Sequence, residues 1–303
     1  MATLAGELLI ITVSQLTKTY GKKVHALRGV DLEIGTGMFG LVGPNGAGKT
    51  TLMRIMAGLL RPTSGKVIVL GQDVSTPRGK LAVKSVLGYL PQELGLYPDL
   101  SALEFLEYIA LLKGMTDKAE RNRQLAELLE LVGLADDAKR RLRTFSGGMK
   151  RRIGIAQALL GEPQLLIVDE PTSGLDPEER VRLRNLLSDV AARCTVILST
   201  HIVEDISQSC SSLVVINKGK VLFRGSPQDL IVQARGHVWT LQTTAERPDK
   251  NLAVVSTIQV QNGVQYRVIG SPDQRYQPSP VEPSLEDGYI WLMQQEHKSS
   301  GSK

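Results

Sequence analysis

The sequence is poor in cysteine and in aromatic residues, and it contains no long apolar run. Of its 303 residues, two are cysteine and 4% are Phe, Trp or Tyr. A small secreted domain held together by disulfides would need a far denser set of cysteines. A membrane-spanning helix would need about 20 consecutive apolar residues. The sequence fits neither class, and because no basic stretch precedes an apolar one at the amino terminus, we expect no signal peptide.

A large excess of one charge is also missing. Lys and Arg number 36 and Asp and Glu number 31, which gives a net charge of +5. A balance of this kind does not indicate nucleic-acid binding. Two basic runs, residues 139–143 and 150–152, contain no aromatic residue that could stack on a base. We interpret them as solvated or phosphate-facing surfaces, and we expect no nucleic-acid partner.

What the sequence does contain is an alternation of short apolar strands and amphipathic helices. Strands are predicted at residues 8–16, 24–30, 31–34, 38–42, 66–70, 86–90, 165–168, 195–199 and 213–216. Helices are predicted from Lys49 onward and at residues 100–112, 118–132, 148–160, 177–192 and 202–209. Such an alternation is typical of an α/β fold whose mostly parallel sheet is covered on both faces. A helical insert of about residues 93–145 interrupts it.

The pattern changes again near residue 233. Three strands are predicted at residues 239–242, 252–259 and 264–269, followed by a proline-rich stretch and a helix at 285–295. We therefore expect a main domain over residues 1–233 and a small α+β accessory region over residues 234–303. These strands and the helix should share a small core that includes Trp239, Tyr289 and Trp291. Residues 297–303 are expected to be disordered.

The main domain carries a phosphate-binding loop. Residues 43–50 fill every fixed position of the pattern G-x-x-x-x-G-K-[ST]. Glycines let backbone N–H groups turn toward phosphates, and the following helix adds its positive N-terminus. In such a loop the lysine neutralises the β- and γ-phosphates, and the hydroxyl of Thr50 binds Mg²⁺. The predicted nucleotide contacts are Gly43, Pro44, Asn45, Gly46, Ala47, Gly48, Lys49, Thr50 and Thr51.

An acidic pair follows the apolar strand predicted at residues 165–168. A carboxylate at the end of such a strand can hold the Mg²⁺ of a bound nucleotide, and we assign Asp169 to the metal. Glu170 is placed to act as the general base that polarises the attacking water. Together with the loop, this pair predicts the hydrolysis of a nucleoside triphosphate.

A second anion-binding feature lies between the loop and the acidic pair. Ser146, Gly147 and Gly148, the Ser-Gly-Gly segment, stand at the predicted start of a helix. Backbone N–H groups at such a position attract phosphate. One molecule has no evident use for two phosphate sites so far apart in sequence. Two molecules arranged head to tail would each lend this segment to the nucleotide of the other.

These motifs together resemble the nucleotide-binding subunit of ATP-binding cassette (ABC) transporters. The resemblance covers residues 8–232 and implies a P-loop NTPase cassette. Such a cassette has a mixed or parallel sheet core, an antiparallel β portion and a helical insert subdomain, here followed by the small C-terminal α+β appendage. The matching motifs, in the order of the family, are Tyr20, the phosphate-binding loop, Gln92, the Ser-Gly-Gly segment, Asp169 and Glu170, residues 173–176, and His201.

The resemblance also implies a role for each matching residue. Tyr20 would stack on adenine. Gln92 would contact Mg²⁺ and the attacking water and would couple the site to the transmembrane partner. The Ser-Gly-Gly segment would hold the γ-phosphate of the nucleotide bound by the opposing subunit, and Asp176 would cross the dimer interface. His201 would contact the γ-phosphate and support the transition state.

Two residues differ from the family pattern. Phe145 replaces the usual leucine, which changes only the packing. Met149 replaces the usual glutamine, and because a thioether is a weak hydrogen-bond acceptor, the basis for a polar contact to the ribose is lost. The methionine and a C-terminal tail with the sequence at residues 283–287 resemble cassettes of the exporter type.

The function implied by the resemblance is that of an ATPase motor. It would bind two Mg·ATP in a head-to-tail homodimer or heterodimer and drive a transmembrane permease subunit, supplied in trans, for export. It would lie peripherally on the cytoplasmic face of the cell membrane. A catalytically inactive regulatory subunit is disfavoured because Lys49, Glu170 and His201 are all present.

The alternative function is that of a soluble ABC-type ATPase acting on the ribosome or on nucleic acid. Proteins of that kind typically carry two cassettes in one chain or a long coiled-coil insertion. This sequence has one phosphate-binding loop and no sustained heptads. The transporter interpretation is therefore favoured.

Overall fold

The structure is a computed structural model that describes residues 3–4, 7–21, 23–243, 247–261 and 263–301. Its strands are β1 (Thr3–Leu4), β2 (Glu7–Leu8), β3 (Ile11–Tyr20), β4 (Val24–Ile34), β5 (Met38–Val42), β6 (Ser64–Val69), β7 (Gln72–Asp73), β8 (Leu87–Leu90), β9 (Leu165–Asp169), β10 (Thr195–Thr200), β11 (Ser212–Asn217), β12 (Lys220–Gly225), β13 (Val238–Thr243), β14 (Ala253–Val260), β15 (Gly263–Ile269) and β16 (Ser279–Pro280). Its α-helices are α1 (Lys49–Met56), α2 (Pro77–Val86), α3 (Ala102–Leu112), α4 (Lys118–Leu131), α5 (Gly147–Leu159), α6 (Pro177–Ala191), α7 (Val203–Ser207), α8 (Pro227–Gln233) and α9 (Leu285–Gly301). None of the helices in these ranges is both long and apolar enough to cross a bilayer.

The central sheet accounts for the apolar strands of the sequence. It has six strands in the order β12-β11-β5-β10-β9-β8, in which β12 runs antiparallel to β11 and the other neighbours are parallel. Every residue of β5, β9 and β10 is buried. Strands covered on both faces carry apolar side chains at consecutive positions, which is why these segments lack polar alternation.

Successive residues of these strands contribute to two different cores. Ile167 and Ile197 pack with helix α1 and with the antiparallel sheet β4-β3-β6-β7. Val168 and Leu198 pack on the opposite side with helices α3 to α6. Side chains that alternate between faces with a period of two are the normal geometry of a strand. The predicted α/β fold, with a mixed sheet and a separate antiparallel portion, is confirmed.

Residues 24–34 form one strand, β4, and the predicted division after residue 30 is wrong. Strand β4 pairs with β3 across that point, where Val30 lies opposite Leu16. The pairing is irregular on both strands, since Gly29 of β4 has a φ of +73° and Gln15 of β3 has a φ of +46°. Its N–H donates to Asp31 Oδ1 at 2.8 Å. The strands therefore stay paired through a β-bulge at the polar residues that resemble a turn in the sequence.

Helices α2 and α8 and strand β12 lie outside the predicted elements. Both helices begin with the same local signal, a hydroxyl residue followed by proline, at Thr76-Pro77 and at Ser226-Pro227. In each, the hydroxyl accepts a hydrogen bond from the backbone N–H three residues further on, at 3.0 and 3.1 Å. This N-cap signal could have located both helices. Their short lengths leave little room for an apolar period to show.

The accessory strands form a four-stranded antiparallel sheet, β14-β15-β13-β16. Helix α9 shares a small core with this sheet as predicted, through Ile290 and Trp291, but Trp239 and Tyr289 lie in other clusters. Leu285 and Tyr289 of α9 pack in the core of the main domain, together with Leu230 of α8. The two helices approach closely, because a Cβ on Gly288 would lie 2.5 Å from the carbonyl oxygen of Leu230. Trp291 packs on the accessory strands. Helix α9 therefore joins the accessory region to the main domain.

The disorder predicted for residues 297–303 is wrong for the described part of the tail, because α9 continues to Gly301. Residues 302–303 lie outside the described residues. The start of α9 is anchored by Asp287, which accepts hydrogen bonds from Arg267 Nη2 and from the N–H of Ser284, both at 2.6 Å. Burial acts to raise the pKa of Asp287, but these hydrogen bonds outweigh it and hold the pKa below its usual value. The carboxylate therefore stays charged and keeps α9 against β15.

Candidate nucleotide site

The candidate site lies at one edge of the central sheet, where three neighbouring strands end. Strands β5, β10 and β9 are parallel, so their carboxyl ends lie side by side. The phosphate-binding loop follows β5, Asp169 ends β9 and Glu170 comes next, and His201 follows β10. Ligands of open α/β sheets bind at this edge. The strand order thus brings together motifs that are far apart in the sequence.

The backbone of the phosphate-binding loop is fixed by contacts that only glycine permits. A Cβ on Gly43 would lie 2.1 Å from a backbone carbonyl of β11, and one on Gly48 would lie 2.6 Å from a backbone carbonyl of β4. Gly48 also has a φ of +109°, which residues with a side chain rarely adopt. The N–H of Gly219, in the β11–β12 turn, donates to the loop carbonyl of Ala47 at 2.9 Å. The loop is therefore shaped by its neighbours.

Lys49, Glu170 and His201 form one connected cluster. Lys49 Nζ lies 3.3 Å from Glu170 Oε1 and donates to the carbonyl of Gly43 at 2.6 Å. His201 Nδ1 lies 2.5 Å from Glu170 Oε2. The side chains of Lys49 and Glu170 are each 6% exposed, whereas that of His201 is 44% exposed. Glu170 therefore joins the predicted phosphate ligand to the histidine on the solvent side.

Glu170 has an unusual backbone conformation. Its φ is +50°, in a region that costs a residue with a side chain on the order of 1–3 kcal/mol. Its N–H donates to the carbonyl of Ser199 at 3.0 Å, and Lys49 and His201 fix its carboxylate. These contacts hold the side chain against the local strain. A phosphate that draws Lys49 away would free one carboxylate oxygen of Glu170 to accept a hydrogen bond from water.

Asp169 has the properties of a cation ligand. Its carboxylate is buried, and neither oxygen forms a hydrogen bond of normal geometry with the described residues. Burial raises the pKa of Asp169, and the hydroxyls of Thr50 and Ser199 and the charge of Lys49 offset only part of this effect. A buried, unpaired carboxylate is costly unless a cation compensates it. The carboxylate of Asp169 and the hydroxyl of Thr50 therefore fit Mg²⁺.

A Mg²⁺ ion bound together with a nucleotide needs few protein ligands. It takes one or two carboxylates along with phosphate oxygens and water molecules. In the described part of the chain, no group of three or more His, Cys, Asp and Glu residues could hold a metal by itself. The donors at this site are thus suited to a metal that arrives with phosphates.

Gln92 lies just beyond the end of β8, beside β9, and is exposed. Its backbone is held by Arg151 of α5, whose Nη1 donates to the Gln92 carbonyl at 2.6 Å. Burial lowers the pKa of Arg151, and the nearby charge of Asp169 opposes this effect. Gln92 and Arg151 line an open cleft of about 410 Å³ with Gly147 and Ser173. In the sequence Arg151 belongs only to a basic run, so its contact with Gln92 is revealed by the fold.

Tyr20 lies beside the phosphate-binding loop. It ends strand β3 and is 42% exposed. Its hydroxyl lies 3.5 Å from Thr51 Oγ1, and Lys18 Nζ lies 5.1 Å from the centre of its ring. An exposed aromatic ring next to a phosphate site is able to stack on a nucleotide base.

The Ser-Gly-Gly segment is separate from this cluster. Ser146 is the N-cap of α5, where its Oγ accepts a hydrogen bond from the N–H of Met149 at 3.2 Å. Helix α5 packs on β8, the edge strand, with β9 and β10 lying between β8 and β5. No hydrogen bond or ion pair found among the described residues joins the segment to the loop of the same chain. Ser146 and Gly147 are exposed and accessible to a second molecule.

Asp176 is the N-cap of helix α6. Its Oδ1 accepts a hydrogen bond from the N–H of Glu179 at 2.9 Å, and Pro177 occupies the first turn. This capping role is readable from the sequence as an Asp-Pro pair before a helix. Asp176 is exposed.

Comparison with known proteins agrees with this geometry. Residues 27–173 match the sequence pattern of the family described as ABC transporter. Over 233 residues the chain is 37% identical to the uncharacterized ABC transporter ATP-binding protein YxlF of Bacillus subtilis, covering 77% of this chain and 76% of that one. It is 39% identical over 227 residues to the Nod factor export ATP-binding protein I of Cupriavidus metallidurans, covering 73% of both. A solved dimer of the ATP-binding cassette MJ0796, in a post-hydrolysis state with ADP and Pi, has a TM-score of 0.65 and 27% identity over 71% of this chain and 98% of that one.

Proposed function

Because this chain belongs to the ABC transporter family, we propose that it acts as one of two cassettes that drive a transmembrane permease subunit supplied in trans. The chain is an ATP-binding subunit that hydrolyses ATP with Mg²⁺. The observation that carries the proposal is the cluster of Lys49, Glu170 and His201 beside the unpaired carboxylate of Asp169. In this proposal the chain acts at the cytoplasmic face of the cell membrane.

Each residue of the cluster has a role in hydrolysis. Lys49 neutralises the β- and γ-phosphates, and Thr50 and Asp169 hold Mg²⁺, which supplies charge neutralisation to the phosphates when it is bound. Glu170 accepts a proton from the attacking water. His201 orients Glu170 through its Nδ1 and presents the other edge of its exposed ring toward the γ-phosphate.

The active assembly is a head-to-tail dimer in which each nucleotide contacts both chains. The loop and the Ser-Gly-Gly segment are separated within one chain by strands β9 and β10. The N-terminus of α5 is nevertheless exposed and attracts anions. A second copy can therefore place this end on the γ-phosphate that the first chain holds. Asp176, exposed at the start of α6, lies on the same cleft-lining segment as Ser173 and faces that partner.

Gln92 couples the site to the permease. It follows β8 directly, and Arg151 links its carbonyl to the helix that begins with the Ser-Gly-Gly segment. A displacement of Gln92 by a partner is therefore transmitted to that segment through one hydrogen bond. Gln92 follows the strand that neighbours β9, which ends in Asp169, and this placement supports its assignment to the metal and to the attacking water.

Export is the direction of transport that we propose. The support comes from Met149, from the tail at residues 283–287, and from the name of a relative, the Nod factor export protein. The alternative, an ATPase acting on nucleic acid, would use the basic runs as a binding surface. Several of their cations are instead paired within the chain, since Arg140 lies 2.5 Å from Asp137 and Arg152 lies 3.5 Å from Glu179.

The proposal is tested by co-expression with the polytopic membrane protein encoded nearest to its gene. We expect a detergent-stable complex, and we expect ATP to drive uptake of the exported compound into inside-out vesicles that contain it. The Glu170→Gln variant should form the complex without driving transport. Recovery of the chain with ribosomes in an RNase-sensitive form, and not with the membrane protein, would favour the alternative.

We further propose that the accessory region supports and regulates the main domain and takes no part in catalysis, since it holds none of the matching motifs. A chain ending at Gln233 should retain ATP binding. It should, however, melt about 5–15 °C lower, because removing α9 exposes the apolar surface around Leu230 and Phe223. Thermal unfolding measures the loss of stability, and nucleotide titration measures ATP binding. Gly288→Leu, which opens the α8–α9 contact, should also lower the melting temperature. Loss of ATP binding in a truncation that remains folded would contradict the proposal.

A further inference from the structure

Two buried hydroxyl groups next to Asp169 form no hydrogen bond of normal geometry with the described residues. They are Ser199 Oγ on β10 and Tyr89 Oη on β8. Ser199 is fully buried. Most buried polar groups in proteins form hydrogen bonds, and one that lacks a partner points to a ligand, an ion or a water molecule. With the two oxygens of Asp169, this edge of the sheet thus has four buried polar atoms that form no hydrogen bond of normal geometry among the described residues.

The strand register places these groups on one face of the sheet. Ser199 lies opposite Asp169 in the β10–β9 pair, and Tyr89 lies opposite Ile167 in the β8–β9 pair. Register partners on parallel strands share a face, and so do residues two positions apart on one strand. Tyr89, Asp169 and Ser199 therefore point to the same side, which is the side of helix α1 and Thr50.

Electrostatic effects agree with this proximity. Burial and then the charge of Asp169 raise the pKa of Tyr89, and the nearby guanidinium of Arg54 on α1 opposes this effect. The hydroxyl of Ser199 acts on the pKa of Asp169 in the same way as that of Thr50, the predicted metal ligand. Asp169 is thus flanked by Ser199 on one neighbouring strand and by Tyr89 on the other.

The hydroxyls of Ser199 and Tyr89 would have a function when Mg²⁺ is bound. The ion parts with its water ligands reluctantly and keeps several of them in nucleotide sites. Its bound waters are strong hydrogen-bond donors and need acceptors, and hydroxyl oxygens are acceptors. We propose that Ser199 and Tyr89 are positioning residues that hydrogen-bond the water ligands of the nucleotide-bound Mg²⁺ and thereby fix the ion against Asp169. This inference rests on the proposed assignment of Asp169 to the metal.

The test measures how much Mg²⁺ strengthens nucleotide binding. The affinity for the non-hydrolysable analogue AMP-PNP is determined by calorimetry with saturating Mg²⁺ and again in EDTA, and the ratio reports the contribution of the metal. Ser199→Ala and Tyr89→Phe each remove one hydroxyl and keep the shape of the side chain. Each should lower the ratio by about 10-fold, the lower end of the effect of residues that support metal ligands. The affinity in EDTA should remain that of the wild type.

The chain offers matched controls. Ser209 Oγ is also buried without a partner, but it lies after α7, away from Asp169. Tyr266 is a buried tyrosine of the accessory sheet. Ser209→Ala and Tyr266→Phe should leave the ratio unchanged. Because Ser199 and Tyr89 lie on different strands, each variant tests the proposal even where the other fails to fold.

Two results would overturn the inference. One is an unchanged ratio in folded Ser199→Ala and Tyr89→Phe proteins. The other is an equal loss of affinity with Mg²⁺ and in EDTA, which would assign the hydroxyls to the nucleotide or to the fold. Asp169→Asn separates this inference from the assignment on which it rests. If Mg²⁺ strengthens AMP-PNP binding to Asp169→Asn as much as to the wild type, the assignment of Asp169 to the metal is itself wrong. If Mg²⁺ loses its effect in Asp169→Asn but not in Ser199→Ala or Tyr89→Phe, only the role of the two hydroxyls is refuted.

Discussion

Replacing Glu170 with glutamine should slow ATP hydrolysis by roughly 10²–10⁴-fold while leaving ATP binding intact. Glutamine has the shape of glutamate but cannot accept a proton from the attacking water. Glu170 is buried between Lys49 and His201, and the amide of glutamine fills the same space, so the loop should keep its geometry. Turnover and equilibrium ATP binding of the purified protein measure the two effects separately.

The same variant tests the shared site. Each ATP is proposed to contact Lys49 of one chain and Ser146 of the other, so unhydrolysed ATP links two chains and stabilises the dimer by mass action. Glu170→Gln should therefore shift from monomer to dimer in size-exclusion chromatography when Mg·ATP is added. Adding Ser146→Arg should reverse the shift, because the long side chain blocks the exposed end of α5.

Two controls separate these effects from general damage. Glu107 likewise pairs with a cationic side chain, that of Arg121 at 3.3 Å, but lies in the helical insert, so Glu107→Gln should hydrolyse ATP normally. Thr76→Arg places the same side chain at the N-cap of another helix, α2, and should not reverse dimer formation in the Glu170→Gln background. Wild-type turnover in Glu170→Gln would exclude Glu170 as the base. A variant that binds ATP and stays monomeric would contradict the shared site.

Replacing Lys49 with alanine should abolish ATP hydrolysis and weaken ATP binding sharply, because the β- and γ-phosphates lose their main point charge. The structure adds a second consequence. Lys49 is the cationic partner of Glu170, and both side chains are 6% exposed. Removing one partner of a buried ion pair costs up to about 3–5 kcal/mol, although His201 offsets part of that cost. Lys49→Ala should therefore also be less stable than the wild type.

A double variant distinguishes lost stability from lost binding. Lys49→Ala combined with Glu170→Gln removes the unpaired charge, so it should regain stability in chemical unfolding and still fail to bind ATP. Lys113→Ala serves as the control, since Lys113 Nζ also donates to a backbone carbonyl, that of Leu160 at 2.6 Å, and lies away from the loop. Near-normal turnover in Lys49→Ala would refute the nucleotide site as a whole.

Local signals predicted the elements that carry the motifs. The strand at residues 38–42 and the helix start at Lys49 are found as predicted, because an apolar strand, a glycine-rich turn and an amphipathic helix follow directly in sequence. The strand that ends in Asp169 was found because its residues before the acidic pair are consecutively apolar. Helices α2 and α8 lay outside the prediction since they are short, and their N-cap and proline signals were the only local evidence.

The sequence by itself determined which residues can bind phosphate, metal and water, because that chemistry depends on residue type and on spacing within one turn. Only the tertiary structure decided which of them meet. The order β5-β10-β9 places Lys49, Glu170 and His201 in contact, whereas it leaves the Ser-Gly-Gly segment at the far edge of the sheet. The packing of α9 on α8 was likewise beyond local signals, because it depends on the close approach at Gly288. Contacts between distant segments follow from strand order and core packing, which no single stretch of sequence encodes.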